Sequence, residues 1–254
     1  MDAYNAFSSD YDKFVDWESR LRFELPLIER LARYRSKPQR ILDAACGTGM
    51  HAIALAQIGH ETAGADLSVG MIERARLNAA ERGVAIRFEA VGFGELGKFF
   101  TSYDMLLCLG NSLPHVLDLA GVELALKDFA SCLKPGGLAL IQNRNFDAVM
   151  AARQRWVEPQ SHRQSEAEWI FLRFYDYEPD GLINFNILTL HRTGEGRWEQ
   201  SVTSTRLRPL LQAELVGALA EAGFEKIECF GSMGGEPFDP ERSGNLVVAA
   251  RSGE

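Results

Sequence analysis

The chain has 254 residues, 46% hydrophobic and 24% charged, which suits a folded core and excludes a disordered polymer. Its 35 acidic and 27 basic side chains leave a formal charge of −8, which repels phosphate backbones, so the expectation is no nucleic-acid partner. No apolar run reaches the roughly 20 residues of a membrane span, and the opening MDAYNAFSSDYDKF lacks the basic and apolar regions of a signal peptide, so the expected setting is cytoplasmic and away from membranes.

In chain order, residues 10–35 carry apolar side chains at helical spacing, with Pro26 expected to start or kink a segment. RILDAA (40–45) reads as a first strand running into CGTG. His51 to Ile58 reads as a helix closed by Gly59. HETAGAD (60–66) is a second strand. Ser68 is placed to cap the next helix, whose inward face is Met71, Ile72, Ala75 and Leu77 and which stops near Gly83. AIRFEAV (85–91) and YDMLLCLG (103–110) are the third and fourth strands, the latter apolar nearly throughout, as in a strand buried on both faces. A helix over 121–133 ends at Lys134-Pro135-Gly136-Gly137, and LALIQN (138–143) is the fifth strand. Strands alternating with helices at this interval specify an α/β fold with a parallel sheet.

The alternation stops after residue 144. Three strand-like runs, 168–177, 181–192 and 196–207, are joined by the turn sequences Glu178-Pro179-Asp180-Gly181 and Thr193-Gly194-Glu195-Gly196, and so predict an inserted antiparallel meander. A helix at 210–222 and strands near 225–231 and 245–250 return to the sheet. Cys46, Cys108, Cys132 and Cys229 are widely spaced, with no CxxC pair, and no metal site is expected.

The most informative stretch is Asp43-Ala44-Ala45-Cys46-Gly47-Thr48-Gly49, between the first strand and the first helix of the sheet. Glycines there let backbone approach a ligand and turn tightly into a helix. Asp66 follows 17 residues after Gly49, at the end of the second strand, where a carboxylate can accept both hydroxyls of a ribose. The pair describes a nucleoside site. Gly47-Thr48-Gly49-Met50-His51-Ala52 also fits a dinucleotide fingerprint. Against that reading, none of the six tyrosines has the Lys four residues on that a short-chain dehydrogenase uses.

Asp43-x-Ala-Cys-Gly-Thr-Gly, the acid Asp66, Lys134-Pro-Gly-Gly before the fifth strand and Ala222-Gly223-Phe224 resemble the motifs of class I S-adenosylmethionine-dependent methyltransferases. The resemblance implies a Rossmann-like, seven-stranded, mostly parallel sheet whose last strand runs antiparallel between the fifth and sixth, with an inserted antiparallel β lid. On that plan residues 1–149 hold a helical cover and the cofactor-binding core, 150–208 the lid, and 209–254 the return to the core. S-adenosylmethionine is then the cofactor and S-adenosylhomocysteine the product. The implied cofactor-binding residues are Tyr11, Arg20, Ala45, Gly47, Gly49, Asp66, Leu67, Met71, Gly92, Phe93, Leu109 and Ser112.

A narrower resemblance joins Cys108-Leu-Gly-Asn-Ser-Leu-Pro-His115 and Asn143-Arg-Asn-Phe-Asp147 to glycine N-methyltransferase and its glycine/sarcosine relatives. It implies that Asn111 and Arg144 touch an amino-acid substrate, Arg144 through the carboxylate. It also implies that an arginine of the N-terminal helix, Arg20 or its neighbour Arg22, holds the methionine carboxylate. Gly92 and Phe93 stand where the animal enzyme has an Asn-Trp pair packed on adenine. The animal enzyme's insert tyrosines have no evident counterpart in 150–205.

The expected partner is a small-molecule acceptor, most simply an amine or amino acid, with Asn111, His115 and Arg144 as the catalytic candidates. Oxygen methylation, with His115 as base, is the alternative. A nucleoside-binding module without catalysis is another, and homo-oligomerisation is left open. Trp156, Trp169, Tyr175, Phe185 and Trp198 alternate in the insert as its core, with one or two facing substrate. Tyr11 and Phe14 are candidates to cover the cofactor.

Overall fold

The structure is a computed structural model that describes residues 12, 15–32, 38–194 and 196–253. Helix α1 (Trp17–Ala32) contains Pro26 in its interior, where the ring neither starts nor ends it. A proline there costs about 3 kcal/mol of helix propensity. Burial of Leu27, Ile28 and Ala32 against the sheet is the compensating force.

The sheet is built from β1 (Arg40–Asp43), β2 (Glu61–Asp66), β3 (Arg87–Ala90), β4 (Tyr103–Cys108), β5 (Leu133–Arg144), β10 (Phe224–Phe230) and β11 (Asn245–Ser252). Their order is β10-β11-β5-β4-β1-β2-β3. The first five strands pair in parallel, and β11 is antiparallel to both β5 and β10, as expected for this plan. Helices α1, α2 (Met50–Gln57) and α3 (Val69–Glu81) cover one face. Helices α4 (Leu119–Cys132) and α6 (Gln212–Glu221) cover the other, through Leu126, Phe129, Leu215 and Leu219. With both faces covered, the central strands are apolar on both sides. No described helix is long and apolar enough to cross a membrane.

Three local readings change. Leu77 points outward and is exposed, while Asn78 and Ala79 complete the buried stripe with Met71, Ile72 and Ala75, as 3.6-residue spacing requires. The Lys134–Gly137 segment is a bulge within β5 rather than a turn before it. The register with β4 jumps from Tyr103↔Leu133 to Met105↔Leu138, and Gly136 takes φ 68°. The insert has four strands, not three: β6 (Trp156–Gln164), β7 (Ala167–Tyr177), β8 (Ile183–Thr193) and β9 (Glu199–Leu207), paired in that order. β6 has little apolar alternation because it is a mostly exposed edge strand, and Pro159 is tolerated there.

A short helix, α5 (Phe146–Ala152), joins the two sheets and is capped by the Asn145 side chain. Phe146 and Val149 pack against Tyr175, Ile183 and Leu207 of the second sheet. The Arg208 N–H donates to the Pro114 carbonyl at 2.8 Å, tying the end of β9 to the loop after β4. The inner face of the second sheet is thereby held over the carboxyl ends of β4 and β5.

Candidate active site

The glycine loop follows β1, and its backbone is largely satisfied by the core. Ala44 N–H donates to Leu107 O and Cys46 N–H to Ala65 O, both at 2.8 Å. Gly49 sits at φ 80°, and a Cβ there would lie 2.9 Å from both Ala75 Cβ and Phe88 Cζ, so only glycine lets the loop enter α2 this tightly. The Asp66 carboxylate braces the loop: Oδ2 accepts Gly47 N–H at 2.9 Å and Oδ1 accepts Ser68 N–H at 2.8 Å. Each oxygen keeps acceptor capacity for a further donor. Behind the loop, Asp12 accepts from the Thr48 hydroxyl (2.6 Å), the Trp17 indole (2.9 Å) and the Asn78 amide (3.2 Å).

Helix α1 brings Arg20 to the same sheet end. Its Nε donates to both oxygens of Glu24, at 3.1 and 3.2 Å, and its Nη2 lies 3.3 Å from where a Gly110 Cβ would be. Glu24 is buried and also meets His51 Nε2 at 2.6 Å and Gln142 Nε2 at 3.3 Å, while Gln142 Oε1 accepts the Gly110 N–H at 3.1 Å. One carboxylate therefore links α1, α2 and β5 to the end of β4. Arg22 instead pairs with Glu18 on the exposed side of the helix.

At the ends of β4 and β5, Asn111 adopts φ 68°, a conformation asparagine tolerates better than most residues. Its Oδ1 accepts the Arg144 backbone N–H at 2.9 Å. The Arg144 Nε is buried with no hydrogen-bond partner, and among the described residues no carboxylate forms an ion pair with this arginine. The Tyr175 hydroxyl lies within hydrogen-bonding reach of its guanidinium. Tyr175, Phe185 and Thr205 form one row across the inner face of the second sheet, and Thr205 Oγ1 lies 3.4 Å from His115 Nδ1. Beside Arg144, the Asn143 carboxamide is buried with neither polar atom partnered.

The model of a methyltransferase domain matches residues 41–137, the span holding the glycine loop, Asp66 and Asn111. A glycine/sarcosine N-methyltransferase of Halorhodospira halochloris is 28% identical over 90% of this chain and 81% of its own length. A ubiquinone biosynthesis O-methyltransferase of Chelativorans sp. is 31% identical over 64% of this chain and 66% of its own. The crystal structure of an S-adenosylmethionine-dependent methyltransferase from Clostridium acetobutylicum superposes with a TM-score of 0.80 at 18% identity, covering 99% of both chains. The chain belongs to the class I S-adenosylmethionine-dependent methyltransferases. Its cofactor is S-adenosylmethionine, and the dinucleotide and non-catalytic readings are set aside.

The methyltransferase brings most of the expected residues together, with differences in how they present themselves. Ala45, Gly47, Asp66 and Ser112 line the sheet end, half-buried, and the Ser112 hydroxyl donates to Leu109 O at 2.8 Å. Leu109 and Met71 are buried side chains, so the core takes much of their surface. Gly92 and Leu67 come together, the site of a Gly92 Cβ lying 2.9 Å from Leu67 Cδ1. Phe93 packs edge-on against Phe129, at 5.1 Å between ring centroids. Tyr11 and Phe14 lie outside the described residues. Trp156 and Trp198 are exposed rather than core, whereas Trp169 packs with Phe171 and Ile187 and Tyr175 with Phe146 and Val149, both buried. Tyr175 of the insert lies beside Arg144.

The electrostatics separate the two halves of the site. Burial pushes Asp43 up to about 6, the Asp66 charge adds to the rise, and His51 and Arg20 oppose it. Its Oδ2 has no partner. Burial also raises Asp66, against the pull of the Ser68 and Gly47 N–H groups. Burial lowers His115 to about 4, so its imidazole is neutral at physiological pH and a weak base. This chemistry fits S-adenosylmethionine: a carboxylate with acceptor capacity at the end of β2, a guanidinium at the sheet end and an unpartnered acid oxygen beneath the loop.

Proposed function

We propose that this methyltransferase acts on the amino nitrogen of a small acceptor that carries a carboxylate, an amine of the glycine or sarcosine kind. The observation that carries the reading is Arg144. A guanidinium whose Nε is buried and unpartnered, with no described carboxylate paired to it, is a site for an anion. The name of the Halorhodospira relative agrees with it, while the name of the Chelativorans relative points to oxygen.

On this reading Asp66 accepts the ribose hydroxyls, Arg20 holds the methionine carboxylate, and the sheet of β6–β9 is the lid that closes the acceptor pocket. Ala45, Gly47, Gly49, Leu67, Met71, Gly92, Phe93, Leu109 and Ser112 shape the rest of the cofactor cleft. Bound S-adenosylmethionine supplies an activated methyl group, so the chain's own contribution is position. Arg144 fixes the distance and rotation of the acceptor through two parallel bonds to its carboxylate. Asn111 holds the Arg144 backbone in place, and Tyr175 holds its side chain. Alignment of this kind is worth up to about 7–11 kcal/mol of barrier in favourable cases. An amine attacks when neutral, and a buried pocket beside guanidinium groups lowers its pKa, so no strong base is needed. His115, at about 4, is suited to lining the pocket rather than to deprotonating an alcohol or phenol.

The test is a screen of small amines, amino acids, their methyl esters and phenols, scored by S-adenosylhomocysteine production. Carboxylate-bearing amines are expected to lead, with the esters far behind. Phenols as the leading acceptors would overturn the nitrogen assignment. For the cofactor half, Asp66→Ala is expected to weaken S-adenosylmethionine binding by about 1.5–3 kcal/mol, the range for hydrogen bonds to a charged group. Unchanged affinity in calorimetry would remove Asp66 from that role.

A further inference from the structure

The two sheets end in four outer strands, and three of them are closed to further pairing. β3 is only four residues long. β10 is irregular between Glu225 and Glu228, with Lys226 at φ 49°, and a bridge to Pro237 takes its outward side at Phe230. β6 carries Pro159 and a register shift between Val157 and Gln160. Shortness, bulges and proline are the devices by which an edge strand avoids pairing with another chain.

β9 has none of them. It pairs with β8 through nine consecutive residues, from His191↔Glu199 to Ile183↔Leu207, and among the described residues no strand pairs with its other side. Its middle, Gln200-Ser201-Val202-Thr203-Ser204-Thr205, carries no charge and no proline, and its valine and threonines favour extended backbone. Such an edge offers a row of backbone N–H and C=O groups to one more strand.

Two features identify that strand. Glu199 opens β9 and Arg206 lies near its end. A second β9 running antiparallel sets the acidic end of each beside the basic end of the other, whereas a parallel one would set like beside like. An apolar row, Leu172 of β7, Leu188 of β8 and Val202 of β9, also crosses the outer face of the lid and runs out at this edge, where Val202 is 62% exposed. A two-fold axis through the middle of β9 brings the Val202 side chains of two copies together on one face and joins the two rows.

We propose that β9 pairs antiparallel with β9 of a second copy of this chain, so that two lids form one eight-stranded sheet across a two-fold axis. The pairing is independent of which acceptor is methylated. Thr205, 3.4 Å from His115 Nδ1, belongs to the same strand, so the strand held by the second copy is the one that touches His115.

Light scattering on gel-filtered protein, joined to amide hydrogen exchange at low and high protein concentration, tests it. Wild type should be a dimer at micromolar concentration. Amides of residues 199–207 should exchange at least about tenfold more slowly in the dimer than on dilution, with β6, the other lid edge, unchanged. Val202→Lys and Val202→Glu should each weaken dimerisation about tenfold or more, because like charges then face each other across the axis. An equal mixture of the two variants should dimerise again. Both change an exposed side chain, so S-adenosylmethionine affinity should stay within about threefold of wild type, and Ser204→Lys serves if neither folds. A wild type that stays monomeric, a dimer whose β9 amides exchange as freely as on dilution, or a dimer that all of these variants leave intact would each overturn the proposal.

Discussion

The side-chain oxygen of Asn111 accepts the backbone N–H of Arg144 at 2.9 Å, and the Asn111 N–H donates to the Gln142 carbonyl at 3.0 Å. This clasp holds the loop after β4 against Arg144, the last residue of β5. It is made by an asparagine at φ 68°, where an alanine would be strained and would lack the acceptor oxygen.

Asn111→Ala should therefore cost about 1–3 kcal/mol of stability and lower kcat/KM at least tenfold, with S-adenosylmethionine affinity unchanged. Asn111→Asp keeps both the acceptor and the tolerance of positive φ, and should retain most of the folding stability. Thermal denaturation, steady-state kinetics and cofactor calorimetry on the two variants separate the clasp from the cofactor site.

Glu24 gathers Arg20, His51 and Gln142 around one buried carboxylate. Its pKa is held low: burial works against this, and the His51 hydrogen bond and the Arg20 charge outweigh burial. A depressed carboxylate pKa stabilises the fold above its unfolded value of 4.5, and that stability is lost as pH falls through the folded value. Glu24→Gln should cost about 3–5 kcal/mol, as for removing one member of a buried pair. It should also weaken S-adenosylmethionine binding, because Arg20 loses the partner that aims it. Arg20→Gln should weaken cofactor binding directly, and Arg22→Gln, on the exposed side, should leave it unchanged. Calorimetry on the three proteins decides which helix arginine serves the cofactor.

Asp43 carries the opposite linkage. Its folded pKa, about 6, lies above the unfolded 3.8, so the folded state binds more protons between these values. The stability associated with that proton is fully present below 3.8 and is lost as pH rises through about 6, an amount on the order of 3 kcal/mol. Asp43→Asn should remove this loss, so the ligand-free variant is expected to melt higher than wild type at pH 8 and to lose the difference near pH 4. Its affinity for the cationic cofactor should fall at pH 8. Melting curves at the two pH values, with and without S-adenosylmethionine, measure both effects.

His115 is a pocket wall on this account. His115→Asn should reduce kcat with an amine acceptor by less than about tenfold, below the roughly 10²–10⁴-fold contribution of a general base. The pH profile of kcat should keep its shape. Loss of a rate increase tied to imidazole deprotonation would instead restore His115 as the base.

The glycine loop and the acid at the end of β2 were legible because they are local in sequence. The glycine loop and Asp66 sit at strand ends, where backbone geometry restricts residue choice, and the strands around them are apolar and periodic. The features that escaped depend on tertiary contact. β6 has little apolar alternation because it is a mostly exposed edge, and the nearness of Tyr175 to Arg144 arises only in the folded chain. Glu24 and His51 read as ordinary helix residues, since 27 positions separate the two ends of their hydrogen bond. Asp12, which gathers Thr48, Trp17 and Asn78 behind the loop, carried no motif at all.

The most direct test of the central claim is methyl transfer from S-adenosylmethionine labelled with carbon-13 in the methyl group, followed by NMR, with sarcosine and its methyl ester offered in parallel. The account predicts that the label appears on the nitrogen of the acid, and that the ester is methylated at least tenfold more slowly while the cofactor binds equally well in both experiments. Equal labelling of acid and ester, or label transferred to oxygen in a phenolic acceptor in preference to either, would contradict it.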